Sequence, residues 1–129
     1  MDLELAQDFC RALPGATEDV KWESKLVFSV AEKMFAVTGL GGDADGISFK
    51  VDEERFLELT DRPGITPAPY LARAKWVRIV DLRKVGDAEA AALLRRSYEL
   101  VAARLTKKVQ RELGLPGGRP GGAPSSAAR

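Results

Sequence analysis

The sequence predicts an α+β fold, an antiparallel β-sheet with helices packed on one face. Three observations carry this. Four short β-type runs between residues 17 and 51 are joined by tight connections, as antiparallel hairpins require. One helical pattern precedes that block and two follow it. The last of them carries Leu94, Tyr98, Val101, Leu105 and Val109 at spacings of 4, 3, 4 and 4, which is a core-facing stripe. Consecutive strands with segregated helices describe an α+β sandwich.

The first helix is expected from about Leu3 to Leu13. Asp2 can cap it, Glu4 suits its positive end, and Leu5, Phe9 and Ala12 or Leu13 share a face. Pro14-Gly15 stops it. Strands follow at Thr17 to Trp22 and at Lys25 to Val30. In the second, Leu26, Phe28 and Val30 face one way and Lys25, Val27 and Ser29 the other. Ala31-Glu32 is the tight turn that returns the chain as Lys33 to Leu40. The next turn, Gly41 to Gly46, is read as mobile, and Ile47, Phe49 and Val51 then point inward with Ser48 and Lys50 outward.

A second helix begins at Asp52, which caps it, with Glu53 and Glu54 in its first turn. Phe56, Leu57 and Leu59 or Thr60 form its apolar side, and Pro63-Gly64 ends it. Residues 65–75 read as a Pro-rich loop with one helical turn at Tyr70 to Ala74, and Trp76 to Leu82 as the last strand. Asp87 caps the final helix, which runs unbroken to the Gly114 and Pro116 stop. Residues 1–113 then form one domain, and the Gly/Pro-rich segment 114–129 reads as a flexible tail, too poor in apolar groups to offset its chain entropy.

Composition narrows the function. The chain has no histidine, so the commonest general base and the commonest zinc ligand are absent. The reading is therefore non-enzymatic, without cofactor or metal. Cys10 is the only cysteine, so no intrachain disulfide forms, and it reads as a small buried thiol in a reducing cytoplasm. Met1-Asp2-Leu3-Glu4-Leu5 has acids where a signal peptide needs cations, and no window suits a membrane span. The expectation is a cytoplasmic protein with no membrane partner.

Charge is uneven. Residues 1–65 carry 7 Lys/Arg against 14 Asp/Glu, whereas residues 66–129 carry 13 against 5. Such asymmetry suits either a polyanion-binding side or acidic and basic elements that pair within the fold. Strand alternation assigns Lys25, Val27, Lys33, Phe35, Val37, Ser48, Lys50, Trp76 and Arg78 to the sheet face opposite the helices, with Arg73 and Lys75 at its rim. Cations neutralise phosphates and aromatic faces stack on unpaired bases. The candidate nucleic-acid-binding residues are therefore Lys33, Lys50, Arg73, Lys75, Trp76 and Arg78. Tyr70 reads as a pin for its own loop. Arg104, Lys107, Lys108 and Arg111 form a second cationic stripe on the last helix, read as a solvated face or a phosphate contact. Gly39-Leu40-Gly41-Gly42 is no phosphate loop, because acids follow it where a helix and GK[ST] are needed.

Five segments in order resemble the MmcQ/YjbR family of small bacterial proteins with a CyaY-like fold. They are Leu13-Pro14-Gly15-Ala16-Thr17-Glu18-Asp19, Lys33-Met34-Phe35-Ala36, Ile47-Ser48-Phe49-Lys50, Pro69-Tyr70 to Lys75-Trp76, and Ser97-Tyr98-Glu99-Leu100-Val101. Together they span about residues 3–110. The resemblance implies a double-wing α+β sandwich and a DNA-binding label that rests on analogy of fold. Ala31-Glu32 and Ala74 stand where members often have Gly or His, and the Gly/Pro tail is an addition. CyaY-like folds also suggest weak iron binding by acidic surfaces, but no oxygen cage is spelled out here. The leading expectation is nucleic-acid binding on a basic-aromatic sheet face. The alternatives are a protein partner on the same face, or a small ligand between the Pro-rich loop and the sheet.

Overall fold

A computed structural model describes residues 1–21, 25–39 and 46–114. The expectations for Trp22, for most of the turn before Ile47 and for the tail beyond Gly114 lie outside those residues. The elements in chain order are α1 (Leu3–Arg11), β1 (Ala16–Lys21), β2 (Lys25–Val30), β3 (Lys33–Thr38), β4 (Ile47–Lys50), α2 (Phe56–Thr60), β5 (Ile65–Pro67), β6 (Trp76–Ile79), α3 (Asp87–Ala102) and α4 (Lys107–Glu112). The six strands form one antiparallel sheet in the order β1-β2-β3-β4-β6-β5. The expected α+β architecture is therefore present, with one strand more than the sequence suggested. Ile65–Pro67 pairs with β6 at the sheet edge, where a proline without an N–H is tolerated.

α1 and α3 cover one face. Ala6, Cys10 and Leu13 from the first helix and Leu94, Tyr98 and Val101 from the third meet Phe28, Val30, Ile47, Phe49, Val77 and Ile79 from the strands. Asp2 caps α1 as expected, accepting from the Leu5 N–H at 2.8 Å. Asp52 does not cap the following turn. It accepts from Arg96 Nε and Nη2, each at 2.8 Å, and ties that segment to α3.

Two strand assignments change. The β2–β3 register passes from Phe28 opposite Ala36 to Ser29 opposite Met34, so Phe35 is the extra residue of a β-bulge. Its ring joins the helix-side core, with an edge-on contact to Tyr98, instead of facing outward. The other sheet face is not open throughout. Val27, Val37 and Trp76 form a second small core there, under Ala68 and beside Met34 and Leu71.

The final helix is two helices. α3 ends at Ala102, and α4 begins after Thr106, whose hydroxyl accepts from the Val109 N–H at 3.2 Å. Gln110 is buried and donates through Nε2 to Ala102 O at 2.8 Å and Leu105 O at 3.0 Å, satisfying carbonyls that the helix end would leave bare. The predicted stripe of four cations is thereby divided. Arg104 lies in the connection, and Lys107, Lys108 and Arg111 lie on α4.

Candidate functional site

A cleft of about 470 Å³ opens at one end of the sheet. Its walls come from four parts of the chain: the β2–β3 turn and the start of β3, the end of β4, the segment leading into β6, and the C-terminal end of α3 with its exit. Lys33, Lys50 and Arg104 bring cations to it, Glu32 an acid, and Met34, Leu71, Trp76 and Leu105 apolar surface.

Each cation is placed by a local rule. Lys33 follows Ala31 and Glu32, a two-residue turn with φ of +47° and +68°. That left-handed pair matches the twist of a hairpin but is normally left to Asn and Gly. Lys50 ends β4 opposite Trp76. Its ammonium donates to Ala74 O at 2.6 Å, which ties the strand to the segment before β6. Burial and then the nearby Arg104 guanidinium hold the Lys50 ammonium below the usual lysine range, against Glu53, which favours its charge. Arg104 lies on the exit from α3, where its N–H donates to Val101 O at 3.1 Å.

The six residues expected to bind nucleic acid do not form one surface. Lys33, Lys50 and Trp76 line the cleft. The Trp76 indole is only 5 % exposed, however, so it forms part of a small core and offers no open stacking face. Strand alternation assigned its side of the sheet correctly. It could not show that the backbone of residues 68–76 closes over the ring, with Ala68 N donating to Trp76 O and Trp76 N to Leu71 O. Lys75 sits with Nζ 5.1 Å from the centre of the Phe56 ring, outside the cleft lining. Arg78 is half-buried on β6, one strand in from the sheet edge, in register with Ser48 on one side and Thr66 on the other. Arg73 is exposed on a 3-10 turn.

Tyr70 reverses its expected role. It is 96 % exposed and has φ +67°, so it pins nothing among the described residues. It stands next to Leu71, a wall of the cleft. Arg104 was visible in the sequence only as part of a helical stripe, and Met34 only as the neighbour of an apolar run. Nothing local to either residue reports that the chain brings them together.

Among the described residues, no three His, Cys, Asp or Glu side chains converge as a metal site, and no helix is long and apolar enough to cross a membrane.

Comparison with known proteins agrees with this architecture. The YjbR family model matches residues 11–100. The crystal structure of a Deinococcus radiodurans protein with a DUF419 domain superposes with a TM-score of 0.78 at 33% sequence identity, covering 94% of each chain. A crystal structure of a protein from Pseudomonas syringae superposes with a TM-score of 0.64 at 24% identity, covering 78% of this chain and 99% of the other, and shares the fold. No curated protein gives a significant match.

Proposed function

The chain belongs to the YjbR family, and from that premise we propose that it is a non-enzymatic binding protein that takes single-stranded nucleic acid at the cleft. Phosphates lie on Lys33, Lys50 and Arg104, and an unpaired base stacks on Tyr70. The observation that carries this reading is the convergence of three cations, from three separate parts of the chain, on one cleft that also has apolar lining residues. Lys50 commits one N–H to Ala74 O, and an ammonium has three donors, so two remain for a ligand.

Two further features support it. Among the described residues, the four non-glycine residues with positive φ, Ala31, Glu32, Tyr70 and Lys75, all belong to the two segments that wall the cleft. Such conformations cost roughly 1–3 kcal/mol each and cluster where a site is held in shape. A fully exposed tyrosine beside the exposed Arg73 supplies the aromatic face that Trp76 does not. Stacking on such a ring contributes about 1–3 kcal/mol per base. The adaptor reading, by contrast, loses its anchor with the indole buried.

A second reading is a small anionic ligand with an apolar body. It is favoured by the cleft volume of about 470 Å³, inside the range of about 300–1,000 Å³ usual for small-molecule sites.

One experiment separates the two readings. Binding of short mixed-sequence oligonucleotides, single- and double-stranded, is measured against salt, beside a thermal-shift panel of mononucleotides and phosphorylated metabolites. Salt-dependent retention of the single strand is expected. Lys50→Gln and Arg104→Gln should each lower the salt slope by about 0.7, the value per phosphate on single strands. Tyr70→Ala should weaken binding by about 1–3 kcal/mol with the salt slope unchanged. Stabilisation by a small anion without oligonucleotide retention replaces the first reading with the second. No response in either arm overturns both.

A further inference from the structure

β1 is an edge strand with nothing paired to its outer side among the described residues. The opposite edge, β5, is three residues long and ends in Pro67, which blunts it. β1 has six residues and no proline, and Val20 on it is 60 % exposed. The Val20 N–H donates to the neighbouring Asp19 carboxylate at 2.9 Å. Its strand partner Leu26 turns its own N–H towards β3, so the Val20 N–H points to the open edge.

We propose that this edge pairs with β1 of a second copy of the chain, antiparallel about a two-fold axis midway between the two Val20 residues, through Asp19, Val20 and Lys21 of each copy. The charge pattern selects the register. Residues directly opposite in an antiparallel pair share a face, so the two-fold axis must set one residue opposite its own copy, and each register is named by that residue. An axis through Glu18 sets that carboxylate against its own copy, and an axis through Asp19 does the same. An axis through Thr17 gives no opposite charges. An axis through Val20 sets Asp19 against Lys21 of the second copy, twice by symmetry, and Val20 against Val20. Val20 is also the residue whose N–H faces the edge, so the central pair exchanges two backbone hydrogen bonds. The Asp19 carboxylate then releases the Val20 N–H and takes up the lysine. Glu18 is already held by Arg11 at 2.6 and 3.0 Å and is not needed.

A contact this small is expected to be weak, below the roughly 1,200 Å² of a standard interface. The test is sedimentation velocity of the full chain at rising concentration, up to about 1 mM, where such contacts register. A concentration-dependent dimer is expected. Asp19→Lys alone and Lys21→Asp alone each oppose like charges and should weaken self-association about tenfold or more. An equimolar mixture of these two variants restores both ion pairs and should associate as tightly as the parent chain. Val20→Pro removes the edge N–H where proline is tolerated and should give a folded monomer, with folding checked by circular dichroism. A parent chain that stays monomeric throughout overturns the proposal. So does a dimer that Asp19→Lys leaves unchanged, or a mixture that fails to restore it. Oligonucleotide binding at the cleft is read independently of all three outcomes.

Discussion

The Ser97 hydroxyl donates to the Phe35 carbonyl at 2.7 Å and accepts from the Lys50 N–H at 2.9 Å. Phe49 lies opposite Ala36, so the next step of that ladder would have paired Phe35 with Lys50. The bulge at Phe35 interrupts it, and a helix side chain fills the gap. The same serine therefore holds α3 on the sheet and fixes where β4 delivers Lys50 to the cleft. Ser97→Ala leaves a buried carbonyl and a partly buried N–H without partners. Each orphan costs about 1–3 kcal/mol. Urea unfolding should show a drop within that range or somewhat above it, with Ser97→Thr losing less than Ser97→Ala.

The junction between α3 and α4 depends on Gln110. Gln110→Ala removes both donors from the Ala102 and Leu105 carbonyls. A loss of about 1–3 kcal/mol is expected. Amide hydrogen exchange should speed up first in residues 103–113, and the β-sheet amides should be little affected. Equal acceleration everywhere would mean that the side chain is not a local clasp.

Trp76→Ala should act on stability before it acts on any ligand. The indole fills the outer-face core with Val27, Val37 and Ala68. Truncating a buried tryptophan costs about 3–5 kcal/mol. In a Trp22→Phe background, so that one indole reports, acrylamide should quench Trp76 emission weakly in the folded protein and strongly in urea. Strong quenching of the folded protein would contradict the burial.

Alkali should unfold the protein through two buried acids. Burial pushes the Cys10 thiol up to about 12 from 9.0, with Arg11 opposing, and the Tyr98 phenol up to about 12 from 10.0, with Arg95 opposing and Glu99 adding to it. Tyr98 also donates to the Pro14 carbonyl. Both groups ionise earlier in the unfolded chain. Their contribution is therefore complete below the unfolded values and is lost as pH rises from about 9 for Cys10, and from about 10 for Tyr98, towards 12. The slope is roughly 1.4 kcal/mol per pH unit for each group. Urea midpoints at rising pH should fall over that window, and Cys10→Ala should postpone the fall. The native thiol should also resist a disulfide reagent that labels it at once in urea.

Much of this protein was decided by local chemistry and is legible along the chain. Asp2 before an apolar face starts α1, and Ala31-Glu32 between alternating runs makes a hairpin. Ile47, Phe49 and Val51 turn inward because a strand has a period of two. The five segments in order also pointed to the family whose model the chain matches. What tertiary structure decided has a different cause. Phe35 faces the core because a bulge shifts its strand, and alternation cannot register an inserted residue. The last helix breaks because Thr106 and Gln110 satisfy backbone groups that only a break exposes. Trp76 is covered and Tyr70 exposed because one folded-back segment closes over the first and leaves the second outside. Lys33, Lys50 and Arg104 line one cleft because the start of β3, the end of β4 and the exit from α3 come to the same place. A side chain's type and spacing follow from its neighbours in sequence, whereas its solvent exposure and its partners depend on chain segments far away in sequence.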